Sequence, residues 1–167
     1  MSESPLPLEI AESAVISPDA RITASIRGTK IKIGEHTHVF EFVSIRAVGG
    51  LGDMVVGQHC HINPGCVIYT GNGIQIGDHV LLASGVMLMP TNHAYERRDI
   101  AIRHQGFLPS KGGIIIEDDV WIGSNSVVLD GAVIRKGAII AAGSVVRGEI
   151  PAYEIWGGVP AKKIRDR

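Results

Sequence analysis

The chain has 167 residues, with 16 Lys or Arg against 17 Asp or Glu, and this balance argues against binding to nucleic acid or to a membrane surface. No apolar run approaches the roughly 20 residues of a membrane span, and the N-terminal sequence lacks the regions of a signal peptide, so we expect a cytoplasmic protein. The 21 glycines and the 5% aromatic content favour a narrow, very regular core.

An aliphatic residue returns at every sixth position through most of the chain. The repeated positions, all Ile, Val or Leu, are Ile10, Ile16, Ile22; Ile33, Val39, Ile45; Val56, Ile62, Ile68; Ile76, Leu82, Leu88; Ile116, Ile122, Val128; and Ile134, Ile140, Val146. This period fits neither a helix nor an ordinary hairpin sheet, but it fits a short strand followed by a turn. Three such units would form one triangular coil with the aliphatic side chains inside.

A second inward position follows four places after many of these aliphatic residues. Cys60 and Cys66 occupy it in successive units, so we expect buried packing thiols without a disulfide. No aromatic residue occupies either inward position. Stacked coils of this kind would form a triangular prism. The extra residues between one set of three repeats and the next always follow the third unit of a coil, which predicts that every insertion leaves from the same edge of this prism.

The period breaks in the stretch "PTNHAYERRDIAIRHQGFLPSKGG", where we predict an excursion loop over residues 92–113. A loop of this length usually covers a ligand or a neighbouring chain. His93 stands at its root, and an imidazole has a pKa suited to removing a proton from a hydroxyl near neutral pH.

The last stretch, "EIPAYEIWGGVPAKKIRDR", loses the period. We predict a short strand and then a short helix that starts near Pro160, because proline favours the first position of a helix. The predicted organisation is an N-terminal segment over residues 1–9, a β-helix domain over residues 10–150, and the C-terminal strand and helix over residues 151–167.

The repeat, the tract "IIIEDDVWIGSNSVVLDGAVIRKGAIIAAGSVV", the loop "NHAYERRDIAIRHQGF" and the tail "IWGGVPAKKI" together resemble the hexapeptide-repeat acyltransferases. The nearest branch is similar to the maltose and galactoside O-acetyltransferases and the bacterial polysaccharide O-acetyltransferases. The resemblance implies an all-β, left-handed parallel β-helix of about six coils. It also implies a homotrimer with active sites between subunits, acetyl-CoA as donor, no metal, and a sugar, nucleotide-sugar or glycan acceptor.

The resemblance assigns roles on the acceptor side. His93 matches the catalytic histidine of the family, and Asn63 and Trp121 match residues that hold the acceptor. The coil phase places His61 in one outward column with Trp121, so His61 is expected near the acceptor as well. Direct transfer is expected, because no hydroxyl or thiol is placed as a nucleophile beside a base.

On the donor side, Ser124 matches a family serine near the thioester, where it or its backbone N–H could stabilise the oxyanion. Ala142 and Gly143 match the strip along which the pantetheine arm lies. Three basic residues are expected to hold coenzyme A phosphates: Arg147, near the place of a family lysine, and Lys162 and Arg165 in the tail.

Three alternatives remain beside an O-acetyltransferase. One is an N-acetyltransferase of an amino-sugar, because an amine needs less activation than a hydroxyl. Another is a metal enzyme like the gamma-class carbonic anhydrases, because His36, His59 and His79 occupy equivalent positions and are expected to form a column suggestive of zinc. The third is a non-catalytic repeat module within an assembly.

Overall fold

The computed structural model describes residues 7–167, so most of the predicted N-terminal segment, residues 1–6, lies outside the described part. The described chain is a left-handed parallel β-helix, as the resemblance predicted. Its short strands stack coil upon coil into three parallel sheets, which form the sides of a triangular prism. Within residues 7–167 no helix is long and apolar enough to cross a membrane.

The strands, numbered in chain order, recur sheet by sheet along the prism. Sheet A contains β1 (Leu8–Ile10), β4 (Ile31–Ile33), β7 (Met54–Val56), β10 (Ile74–Ile76), β13 (Ile114–Ile116), β16 (Ala132–Ile134) and β19 (Glu149–Ile150). Sheet B contains β2 (Val15–Ile16), β5 (His38–Val39), β8 (His61–Ile62), β11 (Leu81–Leu82), β14 (Trp121–Ile122), β17 (Ile139–Ile140), β20 (Glu154–Gly158) and β21 (Ala161–Asp166). Sheet C contains β3 (Arg21–Thr23), β6 (Ser44–Arg46), β9 (Val67–Tyr69), β12 (Met87–Met89), β15 (Val127–Leu129) and β18 (Val145–Val146).

The repeated aliphatic positions form the core. They lie in register from coil to coil, as Ile45 with Ile68 on sheet C shows, and both side chains are fully buried. In the first coil Ile10 is 39% exposed because no described coil covers it. At the other end the ring of Trp156 lies in register with Ile140 and packs against the core. The expectation that no aromatic residue takes an inward position is therefore wrong at Trp156, where the chain turns back as β21 after β20.

The two cysteines are buried free thiols, as predicted. The Cys60 thiol donates to the Gly77 carbonyl at 3.1 Å, and the Cys66 thiol donates to the Ala83 carbonyl at 3.2 Å. Burial raises the pKa of Cys60 and raises the pKa of Cys66 to about 11. Both side chains therefore pack as small apolar groups and stay protonated at neutral pH.

The predicted C-terminal helix is wrong. After β20 the chain turns at Pro160 and returns as strand β21, antiparallel to β20. An unpaired strand at the end of a sheet exposes a row of backbone hydrogen-bonding groups, and β21 satisfies those of β20. The ammonium of Lys163 on β21 bridges Glu154 at 2.6 Å and Asp166 at 2.7 Å, which joins the two strands further.

All the long connections run from sheet C to sheet A, so the insertions do share one edge of the prism, which we call the C–A corner. The excursion loop at residues 92–113 leaves from this corner between β12 and β13 and contains a short 3-10 helix, Ile102–His104. The other two edges are the A–B and B–C corners. These corners determine which side chains can meet in one chain.

Candidate active site

His93 lies in a narrow antiparallel turn of the excursion loop. The loop folds back on itself, so that the Ala94 N–H donates to the Gly106 carbonyl at 3.1 Å and His93 bridges Phe107. The rings of His93 and Phe107 are in contact, with centroids 4.7 Å apart. His93 is exposed, and within residues 7–167 its ring nitrogens make no hydrogen bond. The imidazole is therefore held by packing, and its ring nitrogens are open to a ligand.

A cavity of about 570 Å³ opens beside His93. Tyr95, Lys111, Asp130 and Arg147 are among the residues that line it. We call this space the His93 cavity. It lies at the C–A corner and combines a candidate base with two cationic side chains. One of these is Arg147, which was expected from the sequence to hold a coenzyme A phosphate.

A second cavity, of about 420 Å³, lies at the B–C corner. It is lined by Trp121, Ser124, Ala142 and Arg165, four residues singled out from the sequence, together with apolar side chains of sheet B. Gly143 is at the same corner, where its N–H donates to the Ser124 carbonyl at 2.8 Å. We call this the Trp121 groove. Its mostly apolar, small-residue wall suits a slender flexible chain that approaches the backbone.

The floor of the Trp121 groove depends on Gly123. A Cβ atom at this position would lie 2.5 Å from the Ala142 amide nitrogen, so no other residue fits without a shift. The backbone N–H groups of Ser124 and Ala142 donate to no other residue in the described part of the chain. Free N–H groups on a cavity wall are suitable donors for a developing oxyanion.

The basic residues of the tail lie on strand β21 and not on a helix. Arg165 pairs in register with Ile155 and lines the Trp121 groove, whereas Lys162 pairs with Gly157 and does not line it. Neither forms an ion pair with another residue between 7 and 167, whereas Lys163 between them is paired with two carboxylates. Two of the tail's cations are therefore available to a ligand.

The predicted outward column exists on sheet B, where His61 lies in register with Leu81, and Leu81 with Trp121. Asn63 follows at the B–C corner, and its side-chain amide donates to the Leu82 carbonyl at 2.8 Å. Neither His61 nor Asn63 lines the His93 cavity. Within one chain the structure therefore separates His93 from the three residues expected to hold the acceptor.

The expected histidine column also exists, at the A–B corner. The ring of His59 stacks on that of His36 at 5.0 Å and on that of His79 at 5.1 Å. All three residues have positive φ, the conformation at which Asn, Asp and His are enriched. No group of three or more His, Cys, Asp or Glu side chains within residues 7–167 has the geometry of a metal site. A metal held here would need ligands from a second copy.

Two residues of the His93 cavity, Lys111 and Asp130, were missed by the sequence analysis. The Asp130 carboxylate is only 7% exposed and accepts the N–H groups of Lys111 at 2.8 Å and Gly113 at 3.0 Å. It also accepts the side-chain amide of Asn72 at 3.3 Å. Asp130 thereby fastens the returning end of the excursion loop to the prism. The pair Asp130–Gly131, a common turn sequence, was the available signal.

The repeats match two family models. The model for bacterial transferase hexapeptide repeats matches residues 113–148, and the model for the hexapeptide repeat of succinyl-transferase matches residues 54–90. The fold and the repeat agree with these matches. Residues 54–90 and 113–148 are therefore hexapeptide repeats of the kind found in bacterial transferases.

Several curated proteins are similar to this chain. "Probable acetyltransferase Rv3034c" of Mycobacterium tuberculosis is 35% identical over 83% of this chain and 45% of its own length. "Gamma carbonic anhydrase 2, mitochondrial" of Arabidopsis thaliana is 35% identical over 69% of this chain and 44% of its own length. "Putative lipopolysaccharide biosynthesis O-acetyl transferase WbbJ" of Escherichia coli is 31% identical over 70% of this chain and 62% of its own length. The chain thus spans less than two thirds of each of these relatives.

Among solved structures, a mutant of AntD, an N-acyltransferase from Bacillus cereus, superposes with a TM-score of 0.79. That crystal structure contains dTDP-4-amino-4,6-dideoxyglucose and coenzyme A. The identity is 23%, over 96% of this chain and 83% of AntD. At this sequence identity, the structural similarity shows that the two proteins share a fold.

Proposed function

We propose that the protein transfers an acetyl group from acetyl-CoA to a hydroxyl of a sugar or glycan. The observation that carries this proposal is the exposed His93 imidazole, which opens on a cavity of about 570 Å³ with its ring nitrogens unengaged by residues 7–167. A hydroxyl is a poor nucleophile at neutral pH, whereas a thioester is an activated donor. One base that removes the hydroxyl proton during the attack is therefore sufficient.

The Trp121 groove fits the donor. Its small residues, Ala142 and Gly123, allow a pantetheine arm to lie against the backbone, and the guanidinium of Arg165 at its wall suits a phosphate. The free N–H of Ser124 would stabilise the oxyanion as the acceptor oxygen adds to the thioester carbonyl. The imidazolium of His93 would then protonate the departing thiolate of coenzyme A.

The two cavities lie at different corners of one prism, and no residue lines both. We therefore propose a homotrimer in which the Trp121 groove of one copy faces the His93 cavity of the next. Such a head-to-tail contact closes into a ring and gives every His93 a donor groove. His61 and Asn63, which lie near Trp121 in the fold, would reach the acceptor in the same way.

The comparisons support the reaction class. Rv3034c is described as a probable acetyltransferase, WbbJ as a putative O-acetyl transferase, and AntD as an N-acyltransferase crystallised with an amino-sugar nucleotide and coenzyme A. N-acylation of an amino-sugar is the second candidate. It is favoured by the absence, within residues 7–167, of a carboxylate hydrogen-bonded to the His93 ring, because an amine needs less help from a base.

The test is release of free coenzyme A thiol from acetyl-CoA against a panel of neutral sugars, acidic sugars, amino-sugars and nucleotide sugars. The proposal expects release that depends on a hydroxylated acceptor and that is lost in His93→Ala. Release that occurs only with amines would favour the second candidate. No acceptor-dependent release, with no binding of acetyl-CoA in calorimetry, would contradict both and leave the non-catalytic module.

A further inference from the structure

We propose that the His93 cavity selects an acceptor with an anionic group, a phosphate or a carboxylate, held by Lys111 and Arg147. The inference rests on the proposed function, because it takes His93 as the base and this cavity as the acceptor site. It goes further by naming the class of acceptor: an acidic or phosphorylated sugar, including a sugar linked to a nucleoside diphosphate. Neutral sugars would lack the recognised group.

Lys111 is held in place by the prism. Its backbone N–H donates to Asp130 Oδ2 at 2.8 Å, and its side-chain stem passes over Gly131. A Cβ atom at Gly131 would lie 2.8 Å from Lys111 Cβ, so glycine is needed for this close approach. The Gly131 N–H also donates to the Gly113 carbonyl at 2.6 Å. The root of the Lys111 side chain is thus fixed at the wall of the cavity before any ligand binds.

Arg147 lines the same cavity from the prism side, directly after strand β18. Neither Arg147 nor Lys111 forms a salt bridge or a side-chain hydrogen bond to residues 7–167, although other cations of the chain do so. Arg135, for example, binds Glu117 and Glu149, each at 2.8 Å. Two cations that line one cavity and have no partner within residues 7–167 can together hold an anion.

Asp130 is the one carboxylate that lines the His93 cavity in the described chain, and it does not cancel the two positive charges. Both of its oxygens already accept N–H groups, Oδ1 from Gly113 and Oδ2 from Lys111 and Asn72. These donors turn the carboxylate toward the loop backbone. The formal charge of the lining is one positive unit in excess, two cations against one anion, and favours an anionic ligand.

The neutral polar groups that line the cavity are suited to bind a sugar. Asn92 and Tyr95 also line it and can hydrogen-bond to hydroxyls, while Leu129 and Leu108 supply apolar walls. An anion between Lys111 and Arg147 would fix one end of the acceptor, which leaves the other end beside His93. Such two-point binding converts affinity for the charged group into orientation of the reacting hydroxyl.

The test measures binding without relying on turnover. Inorganic pyrophosphate, dTDP and glucuronate are titrated by calorimetry into the wild-type protein and into Lys111→Met, Arg147→Met and the double variant. Methionine keeps the apolar stem of each side chain and removes its charge. Arg98→Met is the matched control, because Arg98 is an exposed residue of the same loop that does not line the cavity.

We expect each single variant to bind the probes about tenfold more weakly than the wild type, and the double variant to bind them more weakly still. Added salt should also weaken binding of the probes to the wild type. Arg98→Met should bind as the wild type does. If dTDP binds more tightly than pyrophosphate, the anionic group of the acceptor is the diphosphate of a nucleotide sugar. If glucuronate binds, the anionic group is the carboxylate of an acidic sugar. The inference is overturned if no probe binds or if the double variant binds equally well.

It is also overturned if excess coenzyme A displaces the probes, since the two cations would then hold phosphates of the donor. The anion site and the proposed function can fail separately. If the protein acetylates a neutral sugar and the double variant keeps the same KM for it, the acceptor needs no anionic group, but the protein is still an acetyltransferase. Probe binding to these cations without any acetyl transfer would contradict the proposed function while an anion site remained.

Discussion

The His93 ring rests on the Phe107 ring, with centroids 4.7 Å apart and planes inclined by 37°. The same two residues form the antiparallel bridge at the base of the excursion loop. A histidine that acts as a base is commonly oriented by a carboxylate, and in the proposed reaction the Phe107 ring would orient His93 by packing instead. His93 and the ring that packs against it therefore come from the two sides of one turn.

Replacement of His93 by alanine should lower kcat by about 10²-fold or more, because the acceptor hydroxyl loses its base. Binding of acetyl-CoA should not change, because the Trp121 groove lies at another corner of the prism. Initial rates of thiol release and calorimetric titration measure the two effects. His104→Ala, an exposed histidine of the same loop, is the control and should retain full activity. Near wild-type turnover of His93→Ala would place the base elsewhere.

Replacement of Phe107 by alanine should lower kcat by roughly tenfold, less than the loss of the base itself, because the imidazole is still present but is less well oriented. Phe107→Tyr keeps the ring and should stay close to the wild type. A comparison of pH–rate profiles separates orientation from folding, since a merely structural role would leave the profile of the remaining activity unchanged. Equal rates for Phe107→Ala and the wild type would show that the ring contact is incidental.

The β-helix could be predicted from the sequence alone because its repeat is visible within short stretches of the chain. Each inward aliphatic residue meets its equivalent one coil away, as Ile62 meets Leu82, so the period itself encodes the register. The end of the chain could not be predicted in this way. The proline that suggests a helix start is a local signal, whereas strand β21 forms because β20 would otherwise leave an open sheet edge.

The candidate site was predictable only in part. The period and the resemblance pointed to His93 and to the residues of the Trp121 groove. The pair Asp130–Gly131 indicated only a turn. That Asp130 binds the returning loop could not be predicted, because its partners Lys111 and Asn72 are 19 and 58 residues away in the chain. The place of Arg147 in the His93 cavity likewise depends on the path of the excursion loop, which has no period to reveal it.

Removal of the charges at Lys162 and Arg165 should raise the KM for acetyl-CoA without much effect on kcat, because contacts to the phosphates are made equally in ground and transition states. Each charge-assisted hydrogen bond contributes roughly 1.5–3 kcal/mol, and less where solvent reaches it. The KM of the Lys162→Ala/Arg165→Ala variant should also depend less on salt than that of the wild type. Lys32→Ala, an exposed cation of sheet A, is the control. An unchanged KM and salt dependence in the double variant would mean that the phosphates bind elsewhere.

Acid should weaken the stack of coils at Asp78. Its carboxylate accepts the Gln58 N–H at 2.9 Å, and this bond holds the pKa of Asp78 below the ordinary 3.8. Because folding lowers this pKa, the stabilisation is complete above 3.8 and is lost as the pH falls through the folded value. Below about pH 3.8 the Tm of the wild type should therefore fall more steeply than that of Asp78→Asn. Glu41→Gln serves as the control, and parallel curves for Asp78→Asn and the wild type would refute the role of this carboxylate.

The central claim is that the active site is shared between copies, with the His93 cavity of one facing the Trp121 groove of another. Two inactive variants test it. His93→Ala keeps an intact groove, and Ala142→Trp blocks the groove but keeps His93. Each should form trimers, with a mass by light scattering of three times the 17.8 kDa chain.

The decisive measurement is the acetyl-transfer rate of mixed trimers made by co-expression of these two variants. If each site takes its histidine and its groove from different copies, random mixing should restore roughly a quarter of the wild-type activity, because one site in four pairs an intact histidine with an intact groove. If both parts of a site belong to one copy, every site in the mixture carries a lesion. Activity no higher than that of the separate variants would therefore contradict the shared site.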